Sequence, residues 1–495
     1  MPIAHPETAG RTITTDVPAR LDRLPWSRWH WSVVIGLGTV WILDGMEVTI
    51  VGNIAGRLSE SGSGLPITSG EVTGVAAALY VAGACSGALF WGRLTDIHGR
   101  KKLFLITLAV YLGATALTSL AFDTWWFFLF RFLTGFGIGG EYAAINSAID
   151  ELIPAHYRGR VNLVINGSYW LGAVGGALLS IVALNTSIFP ANVGWRLTFA
   201  LGAVLALVIL LVRRHVPESP RWLLIHGRDA EAERLVRGIE QRVEAETGKP
   251  LPRAGDEMTI RQRRRTTFTE IARTVFAEYR KRSALGFSLF IGQAFLYNAI
   301  TFGYGAILTQ FFDVPSGSTG YYFAVIAVGN FLGPLLLGKL FDTVGRRIMI
   351  SGTYLLSGLL LFGTARLFDQ GSLSATTLTA CWSAVLFFAS AGASSAYLTV
   401  SEVFPMETRA MAIAFFYAIG TAAGGITGPL IFAGLTGSGK VGDAVLAFQI
   451  GAGLMCAAGI VAVFLAVNAE RRSLEDIAAP LSAAASRVPL GGRDA

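Results

Sequence analysis

Apolar residues along this 495-residue chain run in long continuous blocks separated by polar segments. Stretches such as 103–121 and 444–467 supply the roughly 20 apolar positions a helix needs to cross a bilayer core. Twelve such blocks lie near residues 32–54, 71–92, 103–122, 125–148, 161–184, 196–212, 284–310, 318–338, 349–367, 375–399, 410–434 and 444–467. The period-2 alternation of a membrane barrel is absent. The pattern therefore predicts twelve transmembrane helices, each of which satisfies its own backbone hydrogen bonds.

Composition agrees and narrows the choice. Hydrophobic residues make up 53% of the chain and charged residues 15%, with a mean hydropathy of +0.53, against roughly 25% charged in soluble domains. Residues 1–31 hold Asp16 and Asp22 but no apolar core, so no cleaved signal peptide is predicted. Cys85, Cys381 and Cys456 all fall inside predicted spans, where they serve as small apolar residues. No disulfide framework, metal site or cofactor is implied. The motifs H-E-x-x-H, G-x-S-x-G and G-x-x-x-x-G-K-[ST] are absent, which argues against an enzyme.

The net charge of +7 raises nucleic acid as a partner, and its placement removes it. With a cytoplasmic N-terminus, only Arg57, Arg131, Arg196, Arg366 and Lys440 of the 40 Lys and Arg fall outside cytoplasmic segments. The basic run Arg261, Arg263, Arg264 and Arg265 then reads as a topology anchor or a contact for anionic lipid.

The chain repeats itself across a polar segment. Gly92 to Lys101 and Gly338 to Arg347 share the frame G-basic-L-x-D-x-x-G-R-basic, and Glu151 to Arg158 and Glu402 to Arg409 share E-x-x-P-x-x-x-R. Asp342 stands 246 positions after Asp96, and Glu402 stands 251 after Glu151. The organisation expected is a tail (1–31), a six-helix half (32–212), a central loop (213–283), a second half (284–467) and a C-terminal tail (468–495), with both tails and the loop cytoplasmic. Duplicated halves place a solute site at their interface, and rocking alternates its exposure. Each chain then holds a whole rocking unit, and a monomer is expected.

These loops, the R-x-x-x-G-x-G-x-G stretch from Arg131 and the segment Pro217 to Trp222 resemble the major facilitator superfamily over about residues 30 to 470. The resemblance implies an all-α membrane protein of twelve helices in two pseudo-symmetric six-helix halves. Within the superfamily the chain resembles sugar porters and metabolite:proton symporters, and Asp44-Gly45-Met46-Glu47 is similar to the D-G-x-[DE] motif of aromatic acid:proton symporters. The charged groups Asp96, Arg100, Glu151, Arg158, Asp342, Arg346, Glu402 and Arg409 lie at cytoplasmic helix ends. Two readings stand for them: a gate that joins and releases the halves, or loop geometry, with Gly99 and Gly345 allowing tight turns.

Charges at bilayer depth cost at least about 2.5 kcal/mol each, so they are functional candidates. Asp44 and Glu47 share a face of the first span, and Arg131 and Glu141 lie in the fourth. Ten residues, about 15 Å of rise, separate the latter two, and each needs another partner. The resemblance sets Asp44 against Arg131 as the proton-coupling pair, with Asp44 the carrier; a static ion pair is the alternative. Glu141 stands open between proton work and plain hydrogen bonding.

For the solute, comparison with sugar porters points to Asn166 in span five, Gln293 and Asn298 in span seven and Tyr397 in span ten. Gly292, Gly420 and Gly424 stand where those porters carry polar residues, and Leu296 stands where their span-seven motif has a glycine. Tyr169, Trp170, Tyr297, Phe302, Tyr304 and Tyr397 beside those amides suit a flat, partly apolar solute with one or two polar groups, such as an aromatic or other small organic acid. The expected function is proton-coupled transport of such a solute across the inner membrane. A sugar or polyol symporter, a facilitative uniporter and a transporter-like nutrient sensor are the alternatives.

Overall fold

The computed structural model describes residues 12–58, 62–68, 71–213, 218–255, 257–261, 273–314, 318–405, 409–436 and 438–478. Every apolar block is a helix: α1 (Arg28–Leu58), α2 (Ala77–His98), α3 (Arg100–Ser119), α4 (Thr124–Leu152), α5 (Arg158–Ala183), α6 (Ala191–Arg213), α7 (Arg280–Phe312), α8 (Thr319–Thr343), α9 (Arg346–Asp369), α10 (Ala375–Val403), α11 (Arg409–Thr436) and α12 (Val441–Leu465). Among the described residues, α1, α3, α5 and α7 to α12 are long and apolar enough to cross a membrane. Large side chains such as Leu336, Leu430 and Phe464 stay exposed around the bundle, as a lipid-facing surface requires.

Several helices run past the apolar blocks and carry the charged motifs with them. Glu151, Asp342 and Glu402 are helical residues rather than loop residues. The turns come at Gly99 and Gly345, with φ of +94° and +119°, a region that a side chain would strain.

The two sets of six helices use the same contacts. α1 packs on α5 as α7 packs on α11, α2 on α4 as α8 on α10, and α3 on α6 as α9 on α12. Across the two sets, α5 lies along α8 and α2 along α11, again a matched pair. Close approach depends on missing side chains. A Cβ at Gly172 would collide with the carbonyl of Ile42, and one at Gly135 with that of Tyr80.

The N-terminal segment is tied to the central loop, which the hydrophobic pattern does not reveal. Strand β1 (Thr12–Thr15) pairs antiparallel with β2 (Met258–Arg261), Thr15 opposite Met258. Arg263, Arg264 and Arg265 lie outside the described residues. Behind β1, the turn of helix Val17–Asp22 packs on helix Asp229–Thr247. Arg20 bridges Glu240 at 2.6 Å and Glu233 at 2.7 Å, and Arg23 reaches Glu240 at 2.5 Å. The hydrogen bond from Arg20 holds the Glu233 carboxyl below its ordinary range. Burial pushes Glu240 the other way, but the bonds from Arg20 and Arg23 prevail and lower it.

Candidate functional site

Seven helices enclose a cavity of about 180 Å³ between the two sets of six. Asn166, Gln293, Asn298 and Tyr397 all line it, as do Tyr169, Trp170 and Tyr297. Tyr304 does not; it stacks on Phe323 at 4.8 Å. The Phe302 side chain lies outside the described residues. The wall also holds Trp41, Thr49, Tyr80, Tyr142, Ser390, Ser394, Tyr417 and Thr421, which the motif comparison missed.

Trp170 stacks on Tyr297 with centroids 5.3 Å apart. Tyr142 sits 4.6 Å from Trp41 and 4.5 Å from Tyr417, Tyr397 is 6.3 Å from Trp41, and Tyr169 joins the two groups at 6.4 Å from Trp41 and 5.2 Å from Trp170. Rings in tilted and edge geometries present both π faces and hydroxyls, a surface suited to a flat guest.

A ladder of asparagines fixes the polar part of the wall. The Asn166 amide donates to Asn146 Oδ1 at 3.0 Å and to Asn162 Oδ1 and O at 2.9 Å. Asn162 donates to Asn146 Oδ1 at 3.2 Å, and Asn146 to the Tyr142 carbonyl at 2.9 Å. Asn162 and Asn166 are four apart on α5, so a one-face pair of amides in an apolar span was the available signal.

The ionisable residues of the spans lie beyond the cavity wall, all almost fully buried. Arg131 forms an ion pair with Glu47, Nη2 to Oε1 at 2.5 Å. Glu47 lies one turn, about 4.5 Å, further along α1 than Asp44. Arg131 also donates to Thr134 at 3.2 Å and rests 4.9 Å from the centre of the Phe199 ring. Tyr111 of α3 stands within electrostatic range of Glu47, Asp44 and Glu141. Tyr80 and Tyr169, which line the cavity, are in electrostatic range of Asp44 and Glu47.

At the end where the N-terminal segment lies, charged groups tie the two sets of helices. Asp342 accepts from the backbone N–H groups of Gly159 and Arg160, at 3.2 and 2.7 Å, across the α5–α8 contact. Arg346 bonds Asp342 at 2.9 Å and grips both oxygens of Glu402 at 3.0 Å. Arg409 faces Glu151 at 3.9 Å. Arg158 instead reaches Asp22 of the N-terminal segment at 3.3 Å, and Arg221 reaches the same carboxylate at 3.6 Å. The side chains of Asp96 and Arg100 lie outside the described residues. Asp22 and Arg221 belong to this cluster and were not among the predicted gate residues; a tail carboxylate carries no motif of its own.

The profile of the sugar (and other) transporter family matches residues 58–480. The chain is similar to the niacin transporter NiaP of Acinetobacter baylyi, 27% identical over 84% of this chain and 89% of that one. It is similar to the 4-hydroxybenzoate transporter PcaK of the same organism, 27% identical over 94% and 96%. The putative metabolite transport protein YyaJ of Bacillus subtilis is 30% identical over 70% and 74%. Among solved structures, the proton:xylose symporter XylE of the major facilitator superfamily superimposes with a TM-score of 0.73 at 18% identity, over 90% of this chain and 98% of that one.

Proposed function

Because the chain belongs to the sugar (and other) transporter family of the major facilitator superfamily, we propose that it moves a flat organic acid across the inner membrane together with protons. Its family consists of transporters, not enzymes. The observation that carries the solute reading is the cavity itself: stacked aromatic rings with amides at defined positions fit a planar guest with one or two polar groups better than a polyol, whose every buried hydroxyl needs a partner. The relatives named for niacin and 4-hydroxybenzoate support the same class.

The coupling residues are Asp44, Glu47, Arg131 and Glu141. Glu47 serves as the counter-ion of Arg131, and Asp44, one turn away on the same face, takes up and releases the proton. Wall phenols within electrostatic range of these groups let solute and proton each bias the other's occupancy. The end bearing the N-terminal segment faces the cytoplasm, since the Lys- and Arg-rich segments gather there. Asp342, Arg346, Glu402, Glu151 and Arg409, with Arg158 on Asp22, hold that side shut and part when the cavity opens inward. The working unit is one chain, and the basic central loop meets anionic lipid.

The test is reconstitution in vesicles that contain a pH-sensitive dye, with aromatic acids, other carboxylates, sugars and amino acids offered in turn. Proton entry driven by aromatic acids, lost in Asp44→Asn while gradient-free solute exchange persists, is the expected result. Uptake without proton movement, equal in both proteins, would make the protein a uniporter and remove Asp44 from the mechanism.

A further inference from the structure

Two of the rings in the cavity wall touch across the interface between the two sets of helices. Trp170 stands on α5 and Tyr297 on α7, and their planes meet at 30° with centroids 5.3 Å apart. A flat guest between them would hold the rings about 7 Å apart, two contact distances of about 3.5 Å each. The guest therefore lies beside the stack and ends where the stack begins. The cavity is about 180 Å³, little more than the roughly 150 Å³ that takes one benzene molecule. One substituted ring fills it, and a second fused ring has no room.

The stack is held from behind by α8, which lies along α5. The Tyr297 hydroxyl donates to Asn330 Oδ1 at 2.7 Å, and the Asn330 amide nitrogen donates to the Ile326 carbonyl at 3.1 Å. Exchanging the amide oxygen and nitrogen would set oxygen against that carbonyl, so the acceptor stays turned to the phenol. Asn330 is fully buried and does not itself line the cavity. Pro334, four positions later and on the same face of α8, packs against Gly167 of α5, where a Cβ would come within 2.7 Å of the proline ring. Gly167 lies three positions before Trp170. One face of α8 thus fixes Tyr297 through a hydrogen bond, and through close packing it fixes the stretch of α5 that carries Trp170. Displacing either ring disturbs that contact, in an interior that transmits strain.

We propose that the Trp170–Tyr297 stack sets the size limit of the site, admitting acids with one aromatic ring and excluding those with two fused rings, and that Asn330 is the positioning residue that holds the limit in place. This rests on the organic-acid reading above and narrows it to one class of solute.

Benzoate and 2-naphthoate are titrated calorimetrically against the purified full-length protein at neutral pH. A site open on this side binds the naphthoate the more tightly, since its second ring buries more apolar surface. The expected result is the reverse, with benzoate favoured by about tenfold or more, the scale on which a packed pocket rejects extra carbon atoms. Trp170→Leu and Tyr297→Leu each add space to the cavity and narrow that preference by about tenfold. They test the same contact from either side, so one serves where the other does not fold. Asn330→Leu and Tyr297→Phe each remove the hydrogen bond and narrow the preference by about threefold. The double variant narrows it no further, because the two residues share one bond.

Naphthoate bound as tightly as benzoate by the parent protein, or a ratio indifferent to the leucine variants, overturns the size limit while leaving organic-acid transport intact. A merely structural Asn330 would weaken both acids alike and leave their ratio unchanged, and that result overturns its positioning role. Absence of benzoate binding by the folded parent overturns the aromatic-acid reading itself, and the size limit with it.

Discussion

Glu47→Gln is the perturbation that tests the buried site most directly. It keeps the shape of the side chain and an acceptor for Arg131 Nη2, and removes the charge. Arg131 and Glu47 have side chains only 1% and 2% exposed, so water cannot take over the solvation of the guanidinium. Thr134 and the face of Phe199 stay in contact with it, but neither neutralises a charge. Breaking a buried pair from one side costs about 3–5 kcal/mol, and the surviving contacts argue for the lower end, about 3 kcal/mol. Arg131→Gln leaves Glu47 buried without its cation and costs a similar amount.

The double variant removes both charges and should recover most of either loss, giving a coupling energy of about 2 kcal/mol or more in a double-mutant cycle. The assay is reversible unfolding in mixed micelles, with the four proteins measured under one condition. Losses that add, leaving a coupling below about 0.5 kcal/mol, would refute the ion pair as the state that holds α1 to α4. Solute exchange measured on the same four proteins separates roles, because a purely structural pair lowers stability without changing the proton dependence of uptake.

Two further outcomes are expected. Gly172→Ala drives a methyl into the Ile42 carbonyl and should cost about 1–3 kcal/mol, whereas Gly175→Ala meets nothing within 4 Å and should stay within about 0.5 kcal/mol of the parent in the same unfolding assay. The N-terminal clip should loosen in acid: Glu233 and Glu240 have lowered folded-state pKa values, so their contribution is complete at neutral pH and is lost as pH falls through the ordinary glutamate range and below it. Spin labels at Thr15 and Thr259 should report a short distance at neutral pH that broadens on acidification, and Glu240→Gln should broaden it at neutral pH; a distance indifferent to both would show that β1 and β2 hold without the Arg20 cluster.

What the sequence disclosed follows from what each signal measures. An apolar run reports the medium around a helix, so the twelve helices could be found from hydropathy, and the repeated charged frames could be matched because glycine at a positive φ leaves few substitutes. Which buried groups meet is a question of depth and rotation. Asp44 and Glu47 share one face of α1, and hydropathy alone does not tell that Glu47 stands level with Arg131. The same limit explains the cavity. Tyr397 was singled out by its place before Glu402, but Trp41, Tyr142 and Tyr417 line the same space and look like packing residues in sequence. An aromatic residue in a span is compatible with lipid, a neighbouring helix or a guest, and the choice is made by which face of the helix it occupies.

The N-terminal clip escaped for a different reason. β1 is four residues of Thr and Ile with a partner more than 240 positions away, and Asp22 is one carboxylate in a polar tail. Neither has periodicity to betray it, yet Asp22 accepts from the backbone N–H of Ala155 and faces Arg158 and Arg221, two guanidiniums whose side chains are 1% exposed. Burying those charges is unfavourable without a carboxylate beside them, so the tail adds a negative charge to the electrostatic site at the helix ends. If the bundle end opens during transport, Asp22 must let go of Arg158 or move with it, and the tail is thereby coupled to the same motion that exposes the cavity.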